Sequence, residues 1–463
     1  MNYSFLIALL LFLLIFVIIS VLDSKKVSSF KDYAVAGKKQ TTFTVVMTTL
    51  ATVIGASATI GLTDTVNQIG FPGVWWLVFG AIGLILQSLL LSEKIRETNA
   101  DTLPHMTNIM FGREAEILLS LIIVISWIGV IAGQLVAMNS LIIFATGKNN
   151  QIIFAIVSCI IILYTIFGGQ LSVVKTDKIQ LLIVISGLII CLVFLYVTKS
   201  ENNADIINNI ELINSNYTPV NMVTQLFIIG GVYFLGPDIL SRNFVSEDKK
   251  TAKKAAMLSG ILLVIITLVI TFIGMWVRFN VTADELGDNK ALMYVIGHLP
   301  KGISIIMIFG LLSAILSSTD TCLINASSIL AKDILKREDV LSVRICVVVL
   351  GLISTIFAIS GNGNIISLLS GAYSIYTPGI IFPLLIAILC YKKRKINKIM
   401  WLSAVLLGGI CGIAGTYFGT SLIKAGVNAT VISNLSLIGM GISLIFSLLS
   451  IREKITGPSG DKQ

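Results

Sequence analysis

Long apolar segments alternate with short polar loops along the chain. Each segment has roughly the 20 residues that an α-helix needs to cross a lipid bilayer. The pattern predicts an all-α polytopic membrane protein with about 13 transmembrane helices. The predicted spans are residues 3–22, 43–69, 73–92, 117–146, 152–173, 177–198, 221–241, 255–277, 302–331, 341–360, 365–391, 399–422 and 430–450.

Two of these predicted spans are interrupted. Gly55 and Gly61 break the second span within a stretch of small and hydroxyl-bearing residues. In the seventh span Gly236 precedes Pro237, and a proline removes a backbone donor and clashes with the preceding turn. Non-helical backbone at membrane depth is tolerated where it lines a cavity or is buried in protein. Two interrupted helices at corresponding positions of two groups of spans indicate a transporter binding site.

The topology divides the chain into two groups of five spans that start on opposite sides of the membrane, as inverted repeats do. The predicted divisions are 1–42, an extra N-terminal span and cytoplasmic loop; 43–198, the first inverted repeat; 199–220, an extracellular loop; 221–391, the second inverted repeat; 392–450, two C-terminal peripheral spans; and 451–463, a disordered cytoplasmic tail. No residue-level repeat is visible, so the symmetry rests on topology.

Composition and charge agree with this topology. Of the 463 residues, 56% are hydrophobic and only 12% are charged, whereas a soluble domain carries roughly 25% charged residues. Of the 33 lysines and arginines, 27 fall in alternate loops on one side and 6 on the other. Because basic loops stay in the cytoplasm, this asymmetry predicts an outside N-terminus. It also explains the net charge of +9 without an anionic partner such as nucleic acid.

Carboxylates at membrane depth are costly and usually functional. Four lie in or at the edge of predicted spans: Asp64, Asp177, Asp238 and Asp320. Asp64 is near an outer end and Asp177 near an inner end, where water can reach them. Asp238 can bind a substrate ammonium, or it can pair with Arg242 four residues later on the same helix. Both interpretations fit the sequence.

The predicted span 302–331 carries the densest polar run, ILSSTDTCLINASS, from Ile315 to Ser328. Small and hydroxyl-bearing residues in membrane helices commonly serve close packing. Here they also recur at helical spacing beside Asp320. The face comprises Ala314, Ser317, Ser318, Thr321, Asn325 and Ser328. Such a row of oxygens suits a hard cation such as sodium, whose shell the carbonyls of an unwound helix can complete.

The sequence offers little for other chemistry. The six cysteines lie in apolar segments and form no CxxC pair, so neither disulfides nor a zinc site is predicted. The sequence contains no HExxH, GxSxG or P-loop motif. We therefore predict a protein that is not an enzyme and uses no organic cofactor.

Five motifs resemble, in order, those of the sodium:solute symporters, a family that includes proline, pantothenate, sialic acid, sugar and choline carriers. They are SFKDYAVAGKK (29–39), TLP with FG (102–112), YTIFGGQLSVVKTDKIQ (164–180), YFLGPDILSRNF (233–244) and ILSSTDTCLINASSILAKDIL (315–335). The third is the most specific, and the fourth looks most like the proline-permease branch. The resemblance implies a LeuT-type fold of five-plus-five inverted repeats.

The resemblance also implies which residues bind sodium, the coupling ion. The family's principal site uses two carbonyls of the unwound first core helix, with one carbonyl and two hydroxyls of the eighth. The matching positions are Ala51, Ile54, Ala314, Ser317 and Ser318. Some members bind a second sodium, which would fall on Asp177, Ser317, Asp320 and Thr321. Asp320 replaces a serine of those members, so it is a second-sodium ligand, a proton carrier or a structural partner.

Family solutes bind between the two interrupted helices. The resemblance places solute contacts at Val53, Gly55, Ser57, Ala58, Trp127, Tyr233, Gly236 and Asp238. The first segment lacks the Asn and Glu or His-type groups of sugar carriers, and Val53 replaces an Asp of the proline carriers. Choline recognition needs an aromatic cage. Trp127 is a candidate for it, whereas Trp75 and Trp76 are better explained as interfacial anchors.

These observations predict a secondary active transporter of the plasma membrane that imports a small organic solute with sodium by alternating access. An amino acid or related zwitterion is favoured, and a carboxylate, a sugar acid and a quaternary amine are alternatives. Proton coupling through Asp320 or Asp177 is the closest rival, and an ion channel or membrane sensor is the non-transport alternative. We expect a monomer or weak homo-oligomer whose partners are the solute and membrane lipid.

Overall fold

A computed structural model describes residues 3–198, 202–360 and 365–454. Most of these residues are helical, because a helix satisfies its backbone hydrogen bonds internally. The helices are α1 (Tyr3–Ser24), α2 (Phe30–Val35), α3 (Thr42–Val53), α4 (Leu62–Ile69), α5 (Trp75–Leu90), α6 (Ser92–Glu97), α7 (Leu103–Phe111), α8 (Arg113–Thr146), α9 (Gln151–Thr198), α10 (Asn203–Asn208), α11 (Pro219–Leu235), α12 (Pro237–Val245), α13 (Lys249–Asn280), α14 (Ala283–Leu286), α15 (Ala291–His298), α16 (Lys301–Ser328), α17 (Val340–Ser360), α18 (Ile365–Cys390), α19 (Lys398–Tyr417), α20 (Gly419–Lys424), α21 (Ala429–Ser433) and α22 (Leu435–Leu449). Within these described ranges there are also two strands, two π-helical turns and two 3₁₀ turns: β1 (Arg394–Ile396), β2 (Ile451–Lys454), Ser57–Gly61, Ile329–Ile334, Ala36–Lys38 and Phe71–Val74.

Ten helices of the described ranges are long and apolar enough to cross a membrane, and a bent pair formed by α3 and the segment Ser57–Ile69 brings the number to eleven. The 48-residue α9 covers two of the predicted spans. The last predicted span corresponds to α22, which has only 15 residues. The total of about 13 spans and the outside N-terminus therefore stay predictions.

The predicted division of residues 152–198 into two spans is wrong in its position. The predicted spans 152–173 and 177–198 leave a loop at residues 174–176, which include Lys175, and place Asp177 at the start of the second span. The helix instead continues through them, and the kink lies at Gly169 (φ 54°, ψ −163°). Lys175 pairs with Asp23, and Asp177 is fully buried among other helices. Because both charges have partners, they do not require a loop.

Both predicted interruptions are confirmed, but Gly61 is not part of the first one, because it is helical (φ −65°, ψ −45°) at the end of the π-helical turn Ser57–Gly61. α3 ends at Val53, Ile54 leaves the helical region (φ −84°, ψ 59°), and the two halves are bent by 59°. α11 ends at Leu235, Gly236 is extended (φ −65°, ψ 144°) and Pro237 begins α12. A proline is favourable there because the N–H of the first helical residue has no helical partner.

The helix that carries the polar run, α16, lies inside the bundle. Every residue from Gly310 to Ile329 is buried. The helix packs against α3, α8, α9 and α17. The predicted row of oxygens therefore faces protein, where each polar atom is costly unless it is hydrogen-bonded or reaches a cavity.

The C-terminal tail differs from the expectation of a disordered segment over residues 451–463. β2 pairs with β1 in antiparallel fashion. Backbone hydrogen bonds to β1 order the start of the tail although its side chains are mostly polar. Residues 455–463 lie outside the described part of the chain. The predicted span 430–450 also divides at Asn434, between α21 and α22.

Candidate functional site

The end of α3 and the middle of α16 meet at the first interruption. Ser318 Oγ donates a 2.7 Å hydrogen bond to the carbonyl of Thr52. Gly55 lies against the same serine, and a Cβ at that position would be 2.9 Å from Ser318 Cβ, closer than real side chains approach. Glycine therefore allows the unwound segment to reach α16.

The five residues of the predicted principal sodium site border this contact, and all are buried. The last carbonyls of an α-helix have no donor in a following turn, so those of Ala51 and Ile54 are left without helical partners at the end of α3. On α16, Ser317 directly precedes Ser318, and Ala314 lies one turn before Ser318. The potential ligands are all oxygens, which hard cations prefer.

The two carboxylates of the predicted second sodium site differ in their hydrogen-bond partners. Asp177 accepts hydrogen bonds from Ser317 Oγ (2.6 Å) and from Thr48 Oγ1. Asp320 Oδ1 instead accepts from Thr165 Oγ1 at 2.8 Å. The Oδ2 atom of Asp320 has no hydrogen-bond partner among the described residues. The two carboxylates therefore have separate hydroxyl partners.

Arg242 occupies a place that the sequence did not indicate. Its Nη2 donates to Thr321 Oγ1 (2.6 Å) and to Thr52 Oγ1, and lies 3.9 Å from Asp177 Oδ2. The expected alternative, an ion pair with Asp238, is absent from the part of the chain that the structure describes. Only 3% of the Arg242 side chain is exposed. The available signal was a basic residue beside an interrupted span, since such residues usually find a partner at membrane depth.

A small cavity lies between the two interruptions. Its volume is about 20 Å³, which is room for roughly one water molecule. Sites for small organic ligands measure roughly 300–1,000 Å³, so the described conformation is contracted around this cavity. The lining residues are Thr52, Val53, Ser57, Val130, Gln134, Val232, Tyr233, Asp238, Ile239, Ser318, Cys322, Leu369 and Tyr373.

Half of the predicted solute contacts line this cavity. These are Val53, Ser57, Tyr233 and Asp238. The other four, which do not line it in this conformation, are Gly55, Ala58, Trp127 and Gly236. Trp127 is fully buried and packs edge to face on Tyr376, with ring centres 5.1 Å apart. Gly236 forms the second interruption and so positions the residues that follow it.

Sequence reasoning missed Gln134, which comes from α8. Its Oε1 accepts a 3.0 Å hydrogen bond from the backbone N–H of Ala56, inside the first interruption. Gln134 also lines the cavity. A glutamine in an otherwise apolar span is a signal that could have identified it, because buried amides need hydrogen-bond partners.

Asp238 brings a buried carboxylate to the cavity, and among the described residues it forms no ion pair. Its Oδ1 has no hydrogen-bond partner among the described residues. The residue lies in the first turn of α12, where the helix dipole favours a negative charge. A buried carboxylate of this kind can bind a cationic group that enters the cavity.

A second polar cluster lies where basic loops leave the bundle. Asp101 pairs with Lys332 Nζ (2.6 Å) and Lys38 Nζ (2.8 Å). Thr102 Oγ1 donates to Asp333 at 2.6 Å. We call these five residues the Asp101 cluster. Burial opposes ionisation of Asp101, but hydrogen bonds from Lys332 and Lys38 lower its pKa below the ordinary value.

Asp64, near the predicted outer end of its span, has structural partners. Its Oδ1 accepts a 2.6 Å hydrogen bond from the backbone N–H of Ala291, and its Oδ2 lies 3.2 Å from Lys290 Nζ. Asp64 therefore joins α4 to the start of α15.

Known proteins resemble this chain over most of its length. The sodium:solute symporter family profile matches residues 33–408. The chain is 24% identical over 432 residues to high-affinity choline transporter 1 of Drosophila melanogaster, covering 85% of this chain and 68% of the relative. It is 22% identical over 376 residues to the high-affinity proline transporter PutP of Bacillus subtilis, covering 76% of this chain and 80% of the relative.

The fold is shared with a solved structure. A Na+-coupled sialic acid symporter in a substrate-bound outward-open state matches with a TM-score of 0.78 and 18% identity, over 97% of this chain and 98% of that one. This likeness supports the predicted LeuT-type fold. Because the family profile covers most of the chain, the protein belongs to the sodium:solute symporter family of multi-pass membrane transporters.

Proposed function

We propose that the protein imports a small amine-bearing solute, an amino acid or a related zwitterion, together with sodium. One observation carries the solute class: Asp238 brings a carboxylate oxygen without a described partner to the cavity between the interruptions. Arg242 lies four residues further along α12 but contacts Thr52 and Thr321 instead. A substrate ammonium would supply both the opposite charge and the hydrogen-bond donors.

The proposed sodium ligands are the carbonyls of Ala51, Ile54 and Ala314 and the hydroxyls of Ser317 and Ser318. This assignment is supported by the hydrogen bond from Ser318 Oγ to the last turn of α3, which shows that α16 reaches the unwound segment. A hydroxyl that donates one hydrogen bond still has lone pairs for a cation. A sodium ion at this point would tie α3 to α16.

Sodium and solute would share one segment of the chain. Thr52, Val53 and Ser318 line the cavity, and the proposed ligands Ala51 and Ile54 flank the first two of these residues. A ligand that orders this segment lowers the cost of ordering it for the other ligand. Each then raises the other's affinity by the same factor. Inward movement of sodium also gains about 2.3 kcal/mol per charge for each 100 mV of membrane potential.

The contracted cavity supports alternating access. A volume of about 20 Å³ cannot hold an amino acid, so the helices around the two interruptions must separate before a solute binds. Exposing this cavity to one side of the membrane at a time would let the sodium gradient drive uptake.

A quaternary amine is the second candidate solute. Tyr233 and Tyr373 line the cavity together with Asp238. Aromatic faces bind quaternary ammonium groups through cation–π interactions, and one relative is named a choline transporter. Proton coupling is the rival mechanism, because Asp320 Oδ2 is buried without a described partner.

Uptake into proteoliposomes tests the coupling ion and the solute class. An inward sodium gradient would be imposed at equal pH on both sides, with potassium as the control, for labelled amino acids, choline and carboxylates without an amine. We expect saturable uptake of an amine-bearing solute that requires sodium. Uptake driven by a proton gradient without sodium would contradict sodium coupling, and sodium current independent of any solute would indicate a channel.

Asp238→Asn tests the proposed ammonium contact. The variant keeps the side-chain shape and removes the charge, so we expect the affinity for the transported amine to fall about 30-fold, or roughly 2 kcal/mol. Sodium binding without solute should change less than about twofold, because the proposed sodium ligands are untouched. Asp205→Asn, an exposed position, is the matched control. Unchanged amine affinity in Asp238→Asn would rule out this contact.

A further inference from the structure

Arg242 lies where the family resemblance predicts a second sodium ion. Two of the predicted ligands contact it: Thr321 Oγ1 accepts a hydrogen bond from its Nη2 at 2.6 Å, and Asp177 Oδ2 lies 3.9 Å from the same atom. A third predicted ligand, Ser317, donates to Asp177. The guanidinium therefore stands among the oxygens that a second sodium ion would need.

The charge of Arg242 is permanent. An arginine does not lose its proton in a protein, and only 3% of this side chain is exposed. Asp177 is the carboxylate within ion-pair distance of the guanidinium among the described residues. The two opposite charges offset each other, so Asp177 would have no net charge left to balance a sodium ion bound beside it in a region of low dielectric constant. The other carboxylate of the predicted site, Asp320, accepts a hydrogen bond from Thr165.

The geometry brings a second sodium ion too close to this charge. A hard cation bound to an oxygen lies about 2.4 Å from it. A sodium ion on Thr321 Oγ1 would thus lie within about 5 Å of Arg242 Nη2, which is 2.6 Å from the same oxygen. Like charges at this distance in a buried site repel strongly, whereas the principal site has no described arginine or lysine in hydrogen-bonding contact with its hydroxyls.

We propose that Arg242 is a tethered cation that replaces the second sodium ion, so that the protein binds one sodium ion per chain. The inference rests on the proposed function and deepens it by fixing the number of coupling ions. Arg242 also belongs to the nine-residue helix α12 that carries Asp238. A solute that moves α12 would therefore move the guanidinium relative to Thr52 and Thr321, on α3 and α16.

Direct counting of bound sodium tests the proposal without knowledge of the solute. Radioactive sodium would be titrated onto the purified full-length protein in lipid nanodiscs, with no solute present. We expect the wild-type protein to saturate at one sodium ion per chain with a Hill coefficient of one. Arg242→Ala should bind two, because Asp177 loses its positive partner and Thr321 regains a free lone pair.

Arg242→Lys is the matched control, since it keeps the positive charge, and we expect it to stay at one sodium ion per chain. Two sodium ions on the wild-type protein, or one on a folded Arg242→Ala variant, would overturn the proposal. No sodium on the wild-type protein would overturn the proposed sodium coupling itself, so the two failures are distinguishable. If Arg242→Ala does not fold, the number of sodium ions bound by the wild-type protein alone tests the proposal.

Discussion

Two buried polar clusters in the described part of the chain are built differently. In the Asp101 cluster the Asp101 carboxylate lies 2.8 Å from one lysine and 2.6 Å from another, and Oδ1 of Asp333 is an atom of this cluster without a hydrogen-bond partner among the described residues. The second, which we call the middle cluster, leaves several atoms without a hydrogen-bond partner among the described residues, including Asp238 Oδ1, Asp320 Oδ2 and Nε and Nη1 of Arg242. The members of the middle cluster are Thr52, Asp177, Asp238, Arg242, Ser317, Ser318, Asp320 and Thr321.

This difference teaches where to look for function. Each unpaired buried polar atom lowers stability, so a cluster that keeps several of them is suited to bind ligands that complete its contacts. A cluster in which one carboxylate is paired with two lysines from other segments, as Asp101 is, is suited to hold those segments together. Changes in the middle cluster should therefore act mainly on binding, and changes in the Asp101 cluster should act on stability and leave sodium affinity unchanged.

The largest effect is expected from the double variant Ser317→Ala with Ser318→Ala. It removes two of the five proposed sodium ligands, and we expect sodium affinity to fall roughly 1,000-fold, or about 4 kcal/mol. The lost hydrogen bonds should lower the free energy of unfolding by about 1–2 kcal/mol. Titration of radioactive sodium measures the first quantity and thermal unfolding the second.

Ser313→Ala is the matched control for this double variant. Ser313 lies one turn before Ser317 on the same helix, is fully buried, and its Oγ has no partner among the described residues. It is not a proposed ligand, so sodium affinity should stay within about twofold. Sodium affinity retained within tenfold in the double variant would show that the proposed site is wrong.

A smaller effect, on stability instead of sodium affinity, is expected from Asp101→Asn. Removing this carboxylate leaves the largely buried Lys332 with only the exposed Glu338, 3.4 Å away, as an anionic partner. We expect the free energy of unfolding to fall by about 2 kcal/mol. This loss is smaller than that for breaking a fully buried ion pair, because the cluster lies near a helix end. Sodium affinity should be unchanged. Glu93→Gln, which breaks a half-exposed pair with Lys253, should cost less than about 0.5 kcal/mol.

The Asp101 pairing also predicts a pH dependence. Because the pKa of Asp101 is lower in the folded protein than its ordinary value, its contribution to stability is present above the unfolded pKa of about 3.9. The contribution is lost as pH falls through the lower, folded pKa. The stability difference between wild type and Asp101→Asn should therefore be constant from about pH 5 to 7 and shrink below about pH 4. A difference that already shrinks between pH 7 and 5 would contradict the pairing.

The interruptions of the helices were predictable because the backbone itself dictates them. Gly236 and Pro237 cannot continue a regular helix at low cost, and the structure places the second interruption at these two residues. The polar run of α16 was predictable as a buried face, since so many hydroxyls are unfavourable against lipid. These features depend on local chemistry and on the solvent, both of which can be derived from one sequence.

The partner of Arg242 was not predictable from local spacing. Asp238 lies four residues away, which suits a contact on one helix, but the guanidinium is long enough to reach Asp177 and Thr321 on two other helices. That choice depends on how α12 is rotated against α9 and α16. The continuation of α9 through Lys175 has a similar origin, because the charge of Lys175 is neutralised by Asp23 from a distant segment.

The smallest of these effects is expected from Gly55→Ala, which changes no ligand and no charge. The added Cβ would lie 2.9 Å from Ser318 Cβ, so the serine must shift relative to the end of α3. We expect sodium affinity to fall about tenfold, or about 1.4 kcal/mol. Gly302→Ala, on the same helix as Ser318 and with nothing within 4 Å of its added Cβ, should leave the affinity unchanged.

The Gly55→Ala variant tests whether the distance between α3 and Ser318 matters for sodium binding when all the proposed ligands are kept. A folded variant with full sodium affinity would mean that the approach of α3 to Ser318 does not matter for the ion, and the proposed ligands on α3 would have to be abandoned. A reduced affinity with an unchanged count of one sodium ion would mean that the unwound segment is held at a specific distance from α16. The glycine at the first interruption would then serve the ion directly, by allowing a contact that any larger residue prevents.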